Sequence, residues 1–273
     1  MSIGFQTSNS HSRILANINR ASTASDVSSQ RIGSGSQINS TKDNAAGLSI
    51  VTRLSSDLYG IKQARRNVSD ANSFLQTGDG ALRSISSNLQ RVRELTLQAG
   101  NGILNADDRQ GIQSEIDSLK EEIFNVSNHT QFNGVSVLNT GSQTNFQVGN
   151  EASHTVSTAA ASITRQLEEF GLAEINVSSS ETASESLATL DSALNAVSST
   201  RSELGAVANR LDSIGANLEN QHINNSAASS RIQDTDIALE TAKLINADIM
   251  RAAGIALLAH AKGQADSVLR LLG

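Results

Sequence analysis

Residues 54–92 read "LSSDLYGIKQARRNVSDANSFLQTGDGALRSISSNLQRV", and large apolar side chains recur through them at a fixed interval. Leu54, Ile61, Val68, Leu75, Leu82 and Leu89 fall seven apart. From Ile61 onward each is followed three positions later by a mostly smaller residue: Ala64, Ala71, Gly78, Ile85 and Val92. A seven-residue repeat with one bulky and one slim position is the seam of a long helix packed along another. Asp43 or Asn44 can cap its start and Gly100 its end. At 1.5 Å per residue such a rod is roughly 80 Å long.

The same repeat returns near the other end. Leu190, Val197, Leu204, Leu211 and Leu218 are again seven apart, which predicts a second rod over 183–235. A third helix is expected from Asp107 to Val126, where Ile112, Ile116, Leu119, Ile123 and Val126 step by four and three. Asp107 and Asp108 stand where the helix dipole favours negative charge. The glycine turn "AGNGILN" before it makes a hairpin with the first rod. The expected fold is mainly α: long antiparallel rods in a coiled-coil bundle.

The middle of the chain changes period. "TQFNGVSVL" sets an Asn-Gly turn beside alternating Val135 and Val137, and "TNFQVGNEASHTVST" alternates around a Gly-Asn step. A small β-hairpin region is expected over about 131–158, followed by a helical piece, "ITRQLEEFGL".

Composition agrees with long helices. Of 273 residues 38% are apolar and 18% charged, but only 3% are aromatic, and neither proline nor cysteine occurs. Proline usually takes about one position in twenty and breaks helix interiors, so its absence favours uninterrupted rods. Without cysteine there is no disulfide or thiol chemistry. A net charge of −6 argues against nucleic acid, which requires a basic patch.

The two ends differ from the rods. Residues 6–32 are weakly helical, with Ile14, Ile18, Ala21 and Ile32 on one side, and "GSGSQINSTKDN" links them to the first rod. Residues 237–272 are helical and far more apolar, including Ile245, Ile249, Leu258, Val268, Leu269, Leu271 and Leu272. Asp248, Arg251, His260, Lys262 and Asp266 interrupt this stretch too often for a membrane span. Ordering backbone costs roughly 1–2 kcal/mol per residue, and each buried Leu or Ile returns roughly 1.5–3 kcal/mol. The N-terminal segment is too poor in apolar residues to cover the tail alone, so the remaining cover is expected from other copies. The chain thus divides into a terminal assembly region, 1–43 with 236–273, and a rod region, 44–235. "MSIGFQTSNSHSRILANINR" lacks the apolar run of a secretory signal.

No catalytic constellation stands out, and no cofactor or metal is expected. His11, His129, His154, His222 and His260 are scattered without ligand spacing. "GSGS" at 33–36 lacks the strand and third glycine of a phosphate loop, and Asp117, Glu121 and Glu122 form a solvated acidic face.

Several blocks in order resemble bacterial flagellin: "GSGSQINSTKDNAAGLSI", "LQRVRELTLQAGNG", "SEIDSLKEEIFNVSNHTQFNGVSVL", "FQVG", "SELGAVANRLDSIGANLEN", "SRIQDTDIALE" and "SVLRLLG". "VSSQRIGSG" departs from the family's more charged, leucine-rich segment, and the outer variable domains of longer flagellins are missing. The resemblance implies a structural subunit, not an enzyme, that polymerises into the extracellular flagellar filament used for motility. Its terminal helices would pair into an inner tube with the rods around them. It implies export through the flagellar type III apparatus without a cleaved signal, and as partners an export chaperone on the tail, the filament cap and hook-junction proteins. It also implies recognition of the monomer by a vertebrate toll-like receptor at Arg91, Leu95 and Glu115, and of the tail by cytosolic innate sensors. From the residues, Arg91, Glu94 and Gln98 are expected to lie off the bundle seam, where lateral salt bridging between subunits is the plainer role. The alternatives are a hook-filament junction protein and a surface adhesin with the rods as a stalk.

Overall fold

The computed structural model describes the backbone of residues 2–139, 143–158 and 162–272, and side chains over 11–139, 143–158 and 162–264. Six helices are described: α1 (Ser2–Ser34), α2 (Ala45–Ala99), α3 (Ala106–His129), α4 (Ile163–Glu169), α5 (Ser180–Gln233) and α6 (Ile237–Leu272). Between α3 and α4 run β1 (Gln131–Phe132), β2 (Val135–Ser136), β3 (Thr144–Gln147) and β4 (Thr155–Thr158). The chain forms two compact units, residues 1–56 with 224–273, and residues 57–223. The cuts fall inside α2 and α5.

Asn44, not Asp43, caps α2: its Oδ1 accepts the Gly47 amide at 2.8 Å. Asp43 instead closes the preceding turn, accepting the amides of Asn39 and Ser40 and the Ser40 hydroxyl. The Ser40 hydroxyl and these amides hold its carboxyl below the usual aspartate range. Helix α3 begins at Asn105, whose side chain accepts from the Asp108 amide while Asp108 accepts from the Asn105 amide. This reciprocal cap satisfies two amides that a helix start leaves orphaned.

In the unit 57–223, α2 and α5 run antiparallel. Polar pairs fix the register along its length: Arg65 with Glu219, Asn72 with Asp212, Asp79 with Arg201, and Arg93 with Asp191. As the number on α2 climbs, that on α5 falls, which is the antiparallel rod pair expected. Burial weighs against ionisation of Asp79, but bonds from Arg201 and Arg83 outweigh it and hold the carboxyl low.

The heptad residues line the core. Ile61, Val68, Leu75, Leu82 and Leu89 are buried, as are Leu190, Val197, Leu211 and Leu218. Leu204 is partly buried and packs against both apolar clusters of this unit, whereas Leu54 is half-exposed and lies outside it. The slim position has a reason at Gly78. A Cβ there would stand 2.9 Å from Val137 Cγ1 and 3.3 Å from Leu204 Cδ1.

The β-hairpin region is two separate two-stranded antiparallel sheets, β1–β2 and β3–β4. Asn133 and Gly134 join the first pair with φ of 51° and 77°, the positive values that a two-residue hairpin turn requires. Phe74 on α2 seats both: Phe132 and Phe146 meet it edge-on, with centroids 6.1 and 5.5 Å away. Half of the six phenylalanines are spent on this one contact.

Candidate assembly surface

In the unit built from both ends of the chain, α1 and α6 pair antiparallel along a seam of small residues. Ala21, Ser25 and Ser28 are buried on α1 at helical spacing, and Ala247 and Glu240 on α6. A Cβ on Gly254 would stand 2.6 Å from Ile18 Cγ1, so glycine there lets the helices approach closely. Of the α1 residues expected inward, Ala21 is buried, while Ile14, Ile18 and Ile32 are only partly covered.

Sequence reasoning missed the polar half of this seam. Ser28 donates to Glu240 Oε1 at 3.0 Å and Ser25 to Asp248 Oδ1 at 3.0 Å. Arg31 Nη1 reaches Glu240 Oε1 at 3.4 Å and Lys243 Nζ reaches its Oε2 at 2.9 Å. Lys243 first, then Ser28 and Arg31, hold the Glu240 carboxyl below its usual value, against the cost of its burial. A buried carboxylate is tolerated when it is paired and hydrogen-bonded in this way. A serine opposite a glutamate at matching register was the available signal.

The segment 34–37 is anchored in the same unit. Gly35 turns the chain at φ 68°, Gln37 N donates to Gln233 O at 2.7 Å, and Thr235 N donates to Gly35 O at 3.0 Å. The linker therefore pairs with the break between α5 and α6.

The other faces of α6 are bare. Ile237, Leu239, Ile245, Ile249, Met250, Ile255 and Leu257 are each 54–61% exposed, and Leu258 is half-buried. Val268, Leu269, Leu271 and Leu272 continue the helix, but their side chains lie outside the described residues. Among the described residues, helix α1 covers one stripe of α6 and leaves the other faces exposed. Full burial of such a side chain is worth roughly 1.5–3 kcal/mol, so about 1 kcal/mol is forgone at each of these positions. The described stretch Ile237–Gln264 is also long and apolar enough to cross a membrane, by length and composition alone.

On the rod, Arg91 and Glu115 are brought together. Arg91 Nε and Nη2 donate to Glu115 Oε1 at 3.1 and 2.9 Å, and Nη1 to Glu94 Oε2 at 3.2 Å. All three side chains are about half-exposed or more. The acidic partners of Arg91 are thus on its own chain. Leu95 does not join this face. It is 2% exposed and belongs to the core with Val92, Ile116 and Ile123. The apolar side chain exposed nearby is Leu97. Among the described residues no group of three metal-ligating side chains occurs.

The bacterial flagellin N-terminal helical region matches residues 5–144, and the C-terminal helical region matches residues 187–272. The chain belongs to the bacterial flagellin family. It is similar to the flagellin of Halalkalibacterium halodurans, 34% identical over 265 residues that cover 97% of this chain and 96% of that one. The flagellar filament 30.7 kDa core protein of Treponema maltophilum is 32% identical over 259 residues, 89% of this chain and 90% of that one. The crystal structure of Bacillus cereus flagellin superposes with a TM-score of 0.51 at 34% identity, covering 60% of this chain and 94% of that one. This flagellin is of the short form, and it is a structural subunit of the flagellar filament, an extracellular assembly. The hook-junction and adhesin readings are not favoured.

Proposed function

We propose that the α1–α6 pair is the polymerising element, and that copies of this chain cover the bare faces of α6 for one another. The observation that carries this is the row of large apolar side chains from Ile237 to Leu257 left exposed although α1 is already docked. Repeated head-to-tail contacts whose rotation does not close give an open helical filament. The terminal helices then form its inner tube and the rods its surrounding layer, a rigid propeller with no chemistry of its own. The ion pairs of Glu240 with Lys243 and of Asp248 with Arg251 favour protein packing over a lipid surroundings for this helix.

The same bare helix accounts for the remaining partners. An export chaperone would shield α6 before assembly, while the type III apparatus passes the unfolded chain. The filament cap and hook-junction proteins would meet it at the two ends of the polymer. Recognition of monomers by a toll-like receptor rests on Arg91 and Glu115, with Leu95 holding the helix beneath them.

Deleting residues 237–273 tests the proposal. Seeded polymerisation viewed by electron microscopy should stop, while circular dichroism retains the helicity of α2, α3 and α5. Filaments from the truncated chain would refute it.

A further inference from the structure

Two Asn-Gly steps occur, Asn101–Gly102 and Asn133–Gly134, and the fold treats them differently. Glycine after asparagine leaves the backbone nitrogen open to approach, since no side chain crowds it. At Asn101 the step lies in the exposed corner between α2 and α3. An added Cβ on Gly102 would meet nothing within 4 Å. Asn101 Oδ1 accepts the Ile103 amide at 3.4 Å, which draws electrons from its carboxamide carbon. No hydrogen bond from the Gly102 amide occurs among the described residues.

At Asn133 the backbone is in the left-handed region at both turn positions. The pairs Gln131 with Ser136 and Phe132 with Val135 close the ladder around it. A five-membered ring between the asparagine side chain and the next nitrogen requires that nitrogen to eclipse Cβ about the Cα–C bond. A type I′ turn turns it to the far side instead, so the ring can close only after the hairpin opens.

We propose that Asn101 is a self-modifying site, converting to aspartate and isoaspartate in the folded subunit while Asn133 is protected. The Gly102 nitrogen gives up its proton and attacks Asn101 Cγ. The new C–N bond forms as Cγ–Nδ2 breaks, and ammonia leaves with the proton returned to it. Water then opens the succinimide at the side-chain carbonyl to give aspartate, or at the backbone carbonyl to give isoaspartate. No oxidation occurs, and water is the only co-reactant.

The corner has something to lose. Arg109 gathers it by donating to Ala99 O, Leu104 O and Asn101 O at 3.0, 2.9 and 3.0 Å, and Ser180 Oγ donates to Gly100 O at 2.8 Å. Isoaspartate routes the backbone through the side chain, adds a methylene to the main chain, and turns the carbonyl that Arg109 holds into a free carboxylate branching from it. Subunits would therefore acquire a charge and a looser corner with age.

The test is to incubate the folded full-length chain in mildly alkaline buffer and map peptide masses over time, with a urea-unfolded sample in parallel. In the folded chain the peptide with Asn101 should show the mass increase of amide-to-acid conversion several-fold faster than that with Asn133, and isoaspartate should appear there. In urea the two should react at similar rates, and Gly102→Ala should suppress the gain at Asn101 in the folded chain. Equal rates in the folded chain, or faster conversion at Asn133, would overturn the proposal.

Discussion

Gly254 of α6 and Ile18 of α1 meet so closely that a Cβ on the glycine would stand 2.6 Å from Ile18 Cγ1. Real Cβ contacts are essentially never that short. Overpacking of this kind costs roughly 1–3 kcal/mol. Gly254→Val should therefore spread α1 from α6, lower the yield of polymer, and leave the thermal midpoint of the rod helices in place. Calorimetry alongside sedimentation of the polymer separates the two effects.

Glu240 gives the terminal pair a pH dependence of known sign. Its carboxyl is held below the ordinary 4.5 by Lys243, Ser28 and Arg31. A depressed carboxylate stabilises fully above its unfolded value and loses that contribution as pH falls through the folded one. Protection of α1 amides, measured against the intrinsic exchange rate at each pH, should hold from pH 7 to about 5 and fall below the ordinary glutamate range. Glu240→Gln should lose protection at neutral pH and lose most of the acid-dependent step, which separates this carboxylate from Asp43 and Asp79.

Leu95 and Arg91 should behave in opposite ways. Leu95→Ala removes a core side chain and should cost about 2–5 kcal/mol of rod stability. Arg91→Ala loses exposed ion pairs, which contribute little, so its thermal midpoint should stay near that of the parent. If a receptor reads Arg91 directly, binding to the folded monomer should fall for Arg91→Ala at unchanged stability. For Leu95→Ala, binding should fall only in step with unfolding.

These contrasts show where the sequence was readable. A sustained seven-residue repeat is a property of one helix face, so Ile61, Val68, Leu82 and Leu89 could be placed without any partner in view. Leu95 could not, because a two-helix seam leaves its position free. In the fold it is buried in the core that also takes Ile116 and Ile123 of α3, and a wider stripe of α2 is covered there. The small, polar seam of α1 was illegible for the opposite reason. Ser25 and Ser28 look like surface residues until Asp248 and Glu240 stand across from them. The bare apolar side of α6 was legible from composition, since Ala21, Ile14 and Ile18 are too few to cover it. The paired hairpins were half legible: turn residues mark each one, but Phe74, which seats both, reads only as another helix residue.

Completion of α6 by other copies of the chain is open to direct measurement. Limited trypsin digestion at Lys243, Arg251 and Lys262, followed by mass spectrometry, reports on this helix in a dilute monomer and in the polymer. Cleavage at Arg251 and Lys262 should be rapid in the monomer and suppressed many-fold in the polymer, with the rod sites little changed. Equal resistance at these sites in both states would mean that α6 is already covered within one subunit.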